Sequence, residues 1–213
     1  MTIKHHLTEQ LLLSYSAGEL PEAFSLVVAT HLSMCDECRA RAESFDAVGG
    51  SIIENTYSDM AAGSLDACFA RIGGMQPAEP VLRPRRGIFP APLAEYVGGG
   101  LSDVKWRPLG LGAKQAILKT SDTGATVRLL AIPGGAAMPE HSHRGLELTL
   151  VLQGAFRDED DRFAAGDVEV ADASLEHTPI AEMGQVCICL AATEGRLKFN
   201  SLIPRLAQPF FRI

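Results

Sequence analysis

Gly73, Gly74, Pro77, Pro80, Pro84, Pro90 and Pro92 fall within residues 73–92, and the character of the chain changes across them. A segment this rich in glycine and proline cannot continue a helix or a central strand, and it reads as a partly stiff, extended linker. Before it, apolar residues recur with helical spacing. Thr8 can cap a helix that runs to Gly18, with Leu11, Leu12 and Tyr15 apolar. Pro21 suits the first position of the next helix. That helix carries Phe24, Val27, Val28, His31, Leu32 and Cys35 on one stripe. A third helix after Cys38 would turn Ala42, Phe45, Val48 and Ile52 inward, weakened at Gly49-Gly50. A shorter fourth would cover Ser58 to Arg71. After the break come short β-type runs at 116–120, 126–132, 146–152, 168–170 and 186–192, separated by turn signals such as Pro133-Gly134-Gly135 and Ala165-Gly166-Asp167. The chain therefore divides into a helical domain (1–72), a linker (73–95) and an all-β barrel domain (96–213), a multi-domain α plus all-β architecture.

Charge follows the same division. The net charge of the 213 residues is −7. Residues 1–80 hold four basic and eleven acidic side chains, whereas 81–213 hold 15 of each. All of the net charge thus lies on the helical part. Such a surface repels DNA, whose binding needs cations to displace counterions at phosphates. It suits a basic protein partner. No stretch is long and apolar enough to span a membrane, and the N-terminus has no secretory apolar region, so the expected location is the cytoplasm. In a reducing compartment, five cysteines point to metal or redox chemistry before a disulfide framework.

His31-x3-Cys35-x2-Cys38 has the spacing of metal ligands. His31 and Cys35 share a helix face, and Cys-x2-Cys lets two thiolates meet one ion. Nitrogen and sulfur donors of this kind favour zinc in a closed tetrahedral site, which needs a fourth ligand. His6, ahead of the first helix, is the preferred fourth ligand, with His5 open as the alternative. These residues, in a short acidic helical domain, resemble the zinc-binding anti-sigma domain over roughly residues 1–85. The resemblance implies a 1:1 complex with an extracytoplasmic-function (group IV) sigma factor, which is thereby kept from RNA polymerase.

The second constellation is Gly135-x5-His141-x-His143-x3-Glu147-x6-Gly154, followed by Gly166-x10-His177. On a strand His141, His143 and Glu147 are in phase, and His177 can arrive from another strand. Three imidazoles and a carboxylate inside a small barrel make a site for a divalent transition metal: zinc, manganese, iron or nickel. The arrangement resembles the two motifs of the cupin family. The second motif departs from the pattern, with Asp172, Ser174 and Ala181 where it expects Pro, Gly and Asn. Cys187 and Cys189, two apart on one strand face, read as buried structural thiols close to that metal and poorly spaced for a disulfide. Cys68 reads as core or interface, Trp106 and Phe156 as packing, Arg83, Arg85 and Arg86 as a solvated linker cluster, and 158–161 as an acidic turn.

Taken together, the two halves resemble anti-sigma factors of purple photosynthetic bacteria that join a zinc domain to a cupin-like domain. Members of that group are linked to singlet oxygen and organic peroxides. The resemblance implies a non-enzymatic regulator in which the helical domain inhibits and the barrel receives the signal. A cupin metalloenzyme (oxygenase or isomerase) with a small zinc interaction domain is the alternative, and a metal-storage or metal-sensing module a third.

Overall fold

The computed structural model describes residues 2–75, 87–142, 145–195 and 198–199. Five helices come first: α1 (Glu9–Ser16), α2 (Glu22–Leu32), α3 (Asp36–Glu54), α4 (Ser64–Gly74) and α5 (Ala91–Val97). The strands follow as β1 (Arg107–Gly110), β2 (Ala113–Leu118), β3 (Ala125–Ile132), β4 (His141–Ser142), β5 (Glu147–Gln153) and β6 (Ala155–Arg157). They continue with β7 (Arg162–Ala164), β8 (Val168–Ala171), β9 (Glu176–His177), β10 (Ile180–Ala181), β11 (Cys187–Glu194) and β12 (Lys198–Phe199). The main sheet has the order β1-β2-β3-β11-β5-β8, all pairs antiparallel, and two small sheets, β10-β6-β7 and β12-β4-β9, complete the barrel.

Local chemistry accounts for the helix starts. Thr8 Oγ1 accepts from Leu11 N at 3.3 Å and caps α1. Pro21 sits at the cap of α2, one position earlier than expected, and offers no side-chain bond. Its place is taken by Asp122 of the β2–β3 loop, whose carboxylate accepts from Glu22 N (3.0 Å) and Ala23 N (2.7 Å). A barrel residue thus satisfies the orphan N–H groups of a helix in the other half of the chain.

Strand alternation divides the sheet into two faces. Leu148, Leu150, Leu152, Val127, Leu129, Leu190 and Ala192 point outward from the barrel and share one core with Leu12, Phe24, Val27 and Val28. Helix α2 lies across β3, β5 and β11. This explains why it is buried on more than its expected stripe, at Ala23, Leu26 and Thr30 as well. Phe89 and Leu93, from the segment read as linker, join the same core. Arg83, Arg85 and Arg86 lie outside the described residues. The opposite face lines the barrel with Ile132, Val151, Phe156, Phe163, Cys187 and Cys189, as expected for Phe156 and the two thiols.

Beyond Phe45, which turns inward as expected, the helical expectations need correction. Gly49-Gly50 does not interrupt α3. Val48 and Ile52 are exposed, because past Phe45, which still packs on the core, no element covers α3 among the described residues. Helix α4 begins at Ser64, not Ser58, and has no buried residue. Cys68 is exposed on it rather than in the core.

Candidate functional site

The first constellation closes around the start of α3. Cys35 is the N-cap of α3, and its Sγ accepts from Cys38 N at 3.5 Å. The first turn of a helix therefore forms the Cys-x2-Cys knuckle, with the Cys38 N–H aimed at the Cys35 sulfur. His31, in the last turn of α2, and His6, ahead of α1, complete a group of four whose donor atoms all lie within 4.8 Å of one another. His6 Nδ1 stands 3.3 Å from Cys35 Sγ and 3.5 Å from Cys38 Sγ. A tetrahedral zinc with ordinary bond lengths separates sulfur and nitrogen ligands by about 3.6 Å, so the spacing fits.

The donors also fit electronically. His31 Nδ1 lies 3.0 Å from the carbonyl of Gly166 and donates to it, which leaves Nε2 buried with no hydrogen-bond partner and presents its lone pair. Burial pushes the His31 pKa down to about 4, so the ring is neutral at pH 7. Burial, reinforced by Cys35, pushes the Cys38 thiol up to about 11, although the Leu7 backbone and Arg41 oppose it. Metal binding must therefore expel a proton there. Glu37 Oε2, 3.4 Å from His6 Nε2, steadies the second imidazole. His5 is turned away, with Nε2 2.8 Å from Asp161 Oδ2, and stacks against Phe163. Of the two candidates for fourth ligand, only His6 enters the cluster.

This cluster is fastened to the barrel. Besides the His31–Gly166 bond, Asp167 Oδ1 accepts from Lys4 N (2.6 Å) and His5 N (3.0 Å), and Val168 N donates to His5 O at 3.2 Å. Gly166 has φ +95°, and the Ile3 side chain lies 2.7 Å from where a Cβ would stand, so a larger residue there would strain the turn and push Ile3 aside.

The second constellation gathers inside the barrel. His141 and His177 face each other across the β4–β9 pair, with Nε2 atoms 3.3 Å apart. That is also the separation of two imidazoles on one tetrahedral ion, about 3.3 Å. His141 Nδ1 lies 2.9 Å from Pro139 O, which orients its ring. Glu147, buried on β5, accepts from Thr149 Oγ1 at 3.1 Å. His143 lies outside the described residues. Three further buried groups escaped the sequence reading: Asp158, Glu169 and Arg128. His177 Nδ1 is 2.9 Å from Glu169 Oε1 and 3.5 Å from Asp158 Oδ2. Burial opposes the His177 cation, but Glu169, Glu147 and Asp158 outweigh it and raise the pKa. Glu169 could have been found as a charge inside the apolar run Val168–Ala171. Asp158 was read as part of an acidic turn, and it is one: its Oδ1 accepts from Asp160 N and Asp161 N. What the turn reading missed is that its other oxygen points inward. Cys187 and Cys189 are buried on the same inner face with sulfurs 3.5 Å apart. The Cys189 thiol is raised by contact with Cys187, by burial and by the nearby Glu169 and Glu147.

Comparison with known proteins places these features. The chain is 61% identical, across the full length of both proteins, to the anti-sigma-E factor ChrR of Cereibacter sphaeroides. It belongs to the ChrR family of anti-sigma factors. Residues 97–195 match the ChrR cupin-like domain. The crystal structure of Rhodobacter sphaeroides SigE in complex with the anti-sigma ChrR is similar as well, at 60% identity and a TM-score of 0.81, covering 91% of this chain and all of that one. The helical zinc-type domain and the cupin-like barrel are therefore both as expected, and the role is regulatory rather than enzymatic. Among the described residues no helix is long and apolar enough to cross a membrane.

Proposed function

We propose that the chain binds an extracytoplasmic-function sigma factor one to one, keeps it from RNA polymerase, and releases it in response to singlet oxygen or organic peroxide. The observation that carries the binding half is the full-length kinship to ChrR, together with the structure of SigE in complex with ChrR. The surface agrees. Val48, Ile52, Leu65, Phe69 and Ile72 on α3 and α4 are all more than half exposed. Apolar side chains left open to this extent mark a protein interface. The acidic balance of residues 1–80 complements a basic partner.

Zinc held by His6, His31, Cys35 and Cys38 ties the N-terminal segment, the end of α2 and the start of α3 together, and so fixes where α3 points. In small domains of this kind metal affinity is folding free energy. A divalent ion in the barrel, held by His141, His143, Glu147 and His177, would supply a Lewis-acidic centre there. The protein groups carry the rest of the reading. The oxidant acts on the barrel interior, where Cys187 and Cys189 lie. The 164–168 turn passes the change to His31 through the Gly166 carbonyl and to the N-terminal segment through Asp167. Such a signal works only by favouring the unbound state over the bound one.

The test is co-expression of the full chain with each extracytoplasmic-function sigma factor of its genome. One factor should co-elute one to one and be released by singlet oxygen. If zinc-replete chain captures none, the binding reading fails. If a captured factor survives oxidant unchanged, the signalling half fails alone.

A further inference from the structure

The barrel interior carries more acid than its ligand set requires. Glu147, Asp158 and Glu169 have buried carboxylates there, and the buried Arg128 guanidinium acts on Glu147. A buried carboxylate is strongly unfavourable unless it is paired, and both Asp158 and Glu169 stand against His177. Glu147 belongs to the expected ligand set, whereas Asp158 and Glu169 lie outside it, although a carboxylate oxygen of each comes within 4.8 Å of a His177 nitrogen. They stand on the far side of His177, at Nδ1, while its Nε2 is turned to His141.

Resting on the reading that the barrel holds a divalent ion, we infer that Asp158 and Glu169 are the outer carboxylates of that site: Glu169 holds His177 through Nδ1 so that Nε2 is presented to the metal, and Asp158 anchors the pair from the β6–β7 turn. The backbone supports the assignment. Glu169 is fixed on β8, where it pairs across from Thr149 of β5, the residue whose hydroxyl donates to Glu147. Asp158 spends one oxygen on two turn N–H groups, at 3.0 and 2.8 Å, which locks the direction of the other. Both roles are those of positioning residues. A carboxylate on the second nitrogen of a ligating imidazole fixes the tautomer and the ring plane and raises ligand basicity.

The experiment uses the full chain loaded with Zn²⁺. Zinc is stripped with graded chelator, and the thiolate-bound ion is counted separately by its release on titrating Cys35 and Cys38 with an organomercurial. The native chain should hold two zinc ions. Glu169→Gln should weaken the barrel ion by about 10–100-fold, and Asp158→Asn by about 10-fold or less, with the mercurial-released ion unchanged. Nitrogen NMR of the loaded chain separates positioning from mere packing. In the native chain His177 should show a protonated Nδ1 and a metal-bound Nε2. That signature should shift in Glu169→Gln even at zinc concentrations that refill the site. Equal barrel affinity and an unmoved His177 signature in Glu169→Gln would overturn the inference and leave the barrel ion standing. A native chain that holds one ion only, all of it released by the mercurial, would remove both.

Discussion

His31 and His177 are each almost wholly buried, at 0% and 2% exposure, yet their surroundings drive them apart. His31 has a backbone carbonyl on one nitrogen and nothing on the other, so burial wins and its pKa falls to about 4. His177 also suffers burial, but Glu169, Glu147 and Asp158 surround it and its pKa rises. The helical cluster sets a neutral imidazole beside the Cys38 thiol, which needs a metal to ionise. The barrel cluster is a nest of carboxylates that attracts a cation of any kind, a proton included. Zinc in the first would be a structural tie, whereas the ionisation state of the second is open to change. This is the division expected of a rigid binding surface joined to a responsive sensor.

The largest expected effect breaks the first cluster alone. Cys35→Ser together with Cys38→Ser should remove its zinc and abolish sigma-factor binding. His141→Ala with Glu147→Ala should leave binding intact and remove release by oxidant. Zinc content and co-elution before and after singlet oxygen check both. Loss of binding in the barrel variant would show that the two regions do not divide the labour in this way.

A somewhat smaller loss should follow from Phe69→Glu or Leu65→Glu on α4. Both side chains are exposed, at 63% and 58%, so the melting temperature of the free chain should hardly change. Affinity for the partner should fall by about 10–1000-fold, as when a charge replaces an anchor in an interface. Affinity and melting temperature measured on the same preparations separate this from misfolding.

The two clusters were unequally legible in the sequence, for a physical reason. His31, Cys35 and Cys38 lie within one helix–turn–helix step, and helical spacing alone puts them together. His6 came with an alternative because nothing local tells which imidazole of His5-His6 turns inward. The choice is made by Asp161 and Asp167, more than 150 residues away, which hold His5. In the barrel, His141, Glu147 and His177 were found through motif spacing. Asp158 and Glu169 come from other strands, and only the closed barrel brings them to His177. The five runs expected as strands, now β2, β3, β5, β8 and β11, were readable to within about three residues at either end, because alternation is a local signal; the other seven strands, of two to four residues, are too short to show it. The outer strand face hid its partner: an apolar row at Leu148, Leu150 and Leu152 does not say that α2 covers it.

The opposite pKa shifts predict opposite pH dependences in the metal-free chain. An unfolded His titrates near 6.5. Folded His31 refuses the proton until about pH 4, so the unfolded state binds more protons between those values. His31 should therefore cost stability as pH falls from about 6.5 to 4, by about 3 kcal/mol in all. The sign reverses for His177. Its contribution is fully present below pH 6.5 and is lost as pH rises through the higher folded value. Ring NMR titration should find His177 still protonated at pH values where His31 is neutral. A common midpoint for the two would contradict the comparison.

The smallest effect tests whether the two regions are one body or two. Thr8 caps α1 from its own sequence, and Asp122 caps α2 from the barrel. Replacing a capping side chain by alanine costs about 0.5–2 kcal/mol. Asp122→Ala should lie at the upper end of that range because its charged carboxylate serves two N–H groups, and Thr8→Ala near the middle because its hydroxyl serves one. The form of the loss matters more than its size. Because α2 and the outer sheet face share one core, neither can unfold without exposing the other. Asp122→Ala should therefore shift a single melting transition seen equally by helical and near-ultraviolet signals. If it instead splits the transition, the helices leave the barrel as a separate unit, and a signal could pass by undocking α2 without strain at the Gly166 turn. A single shifted transition leaves the turn as the route, because the two clusters then communicate only through a body that moves as a whole.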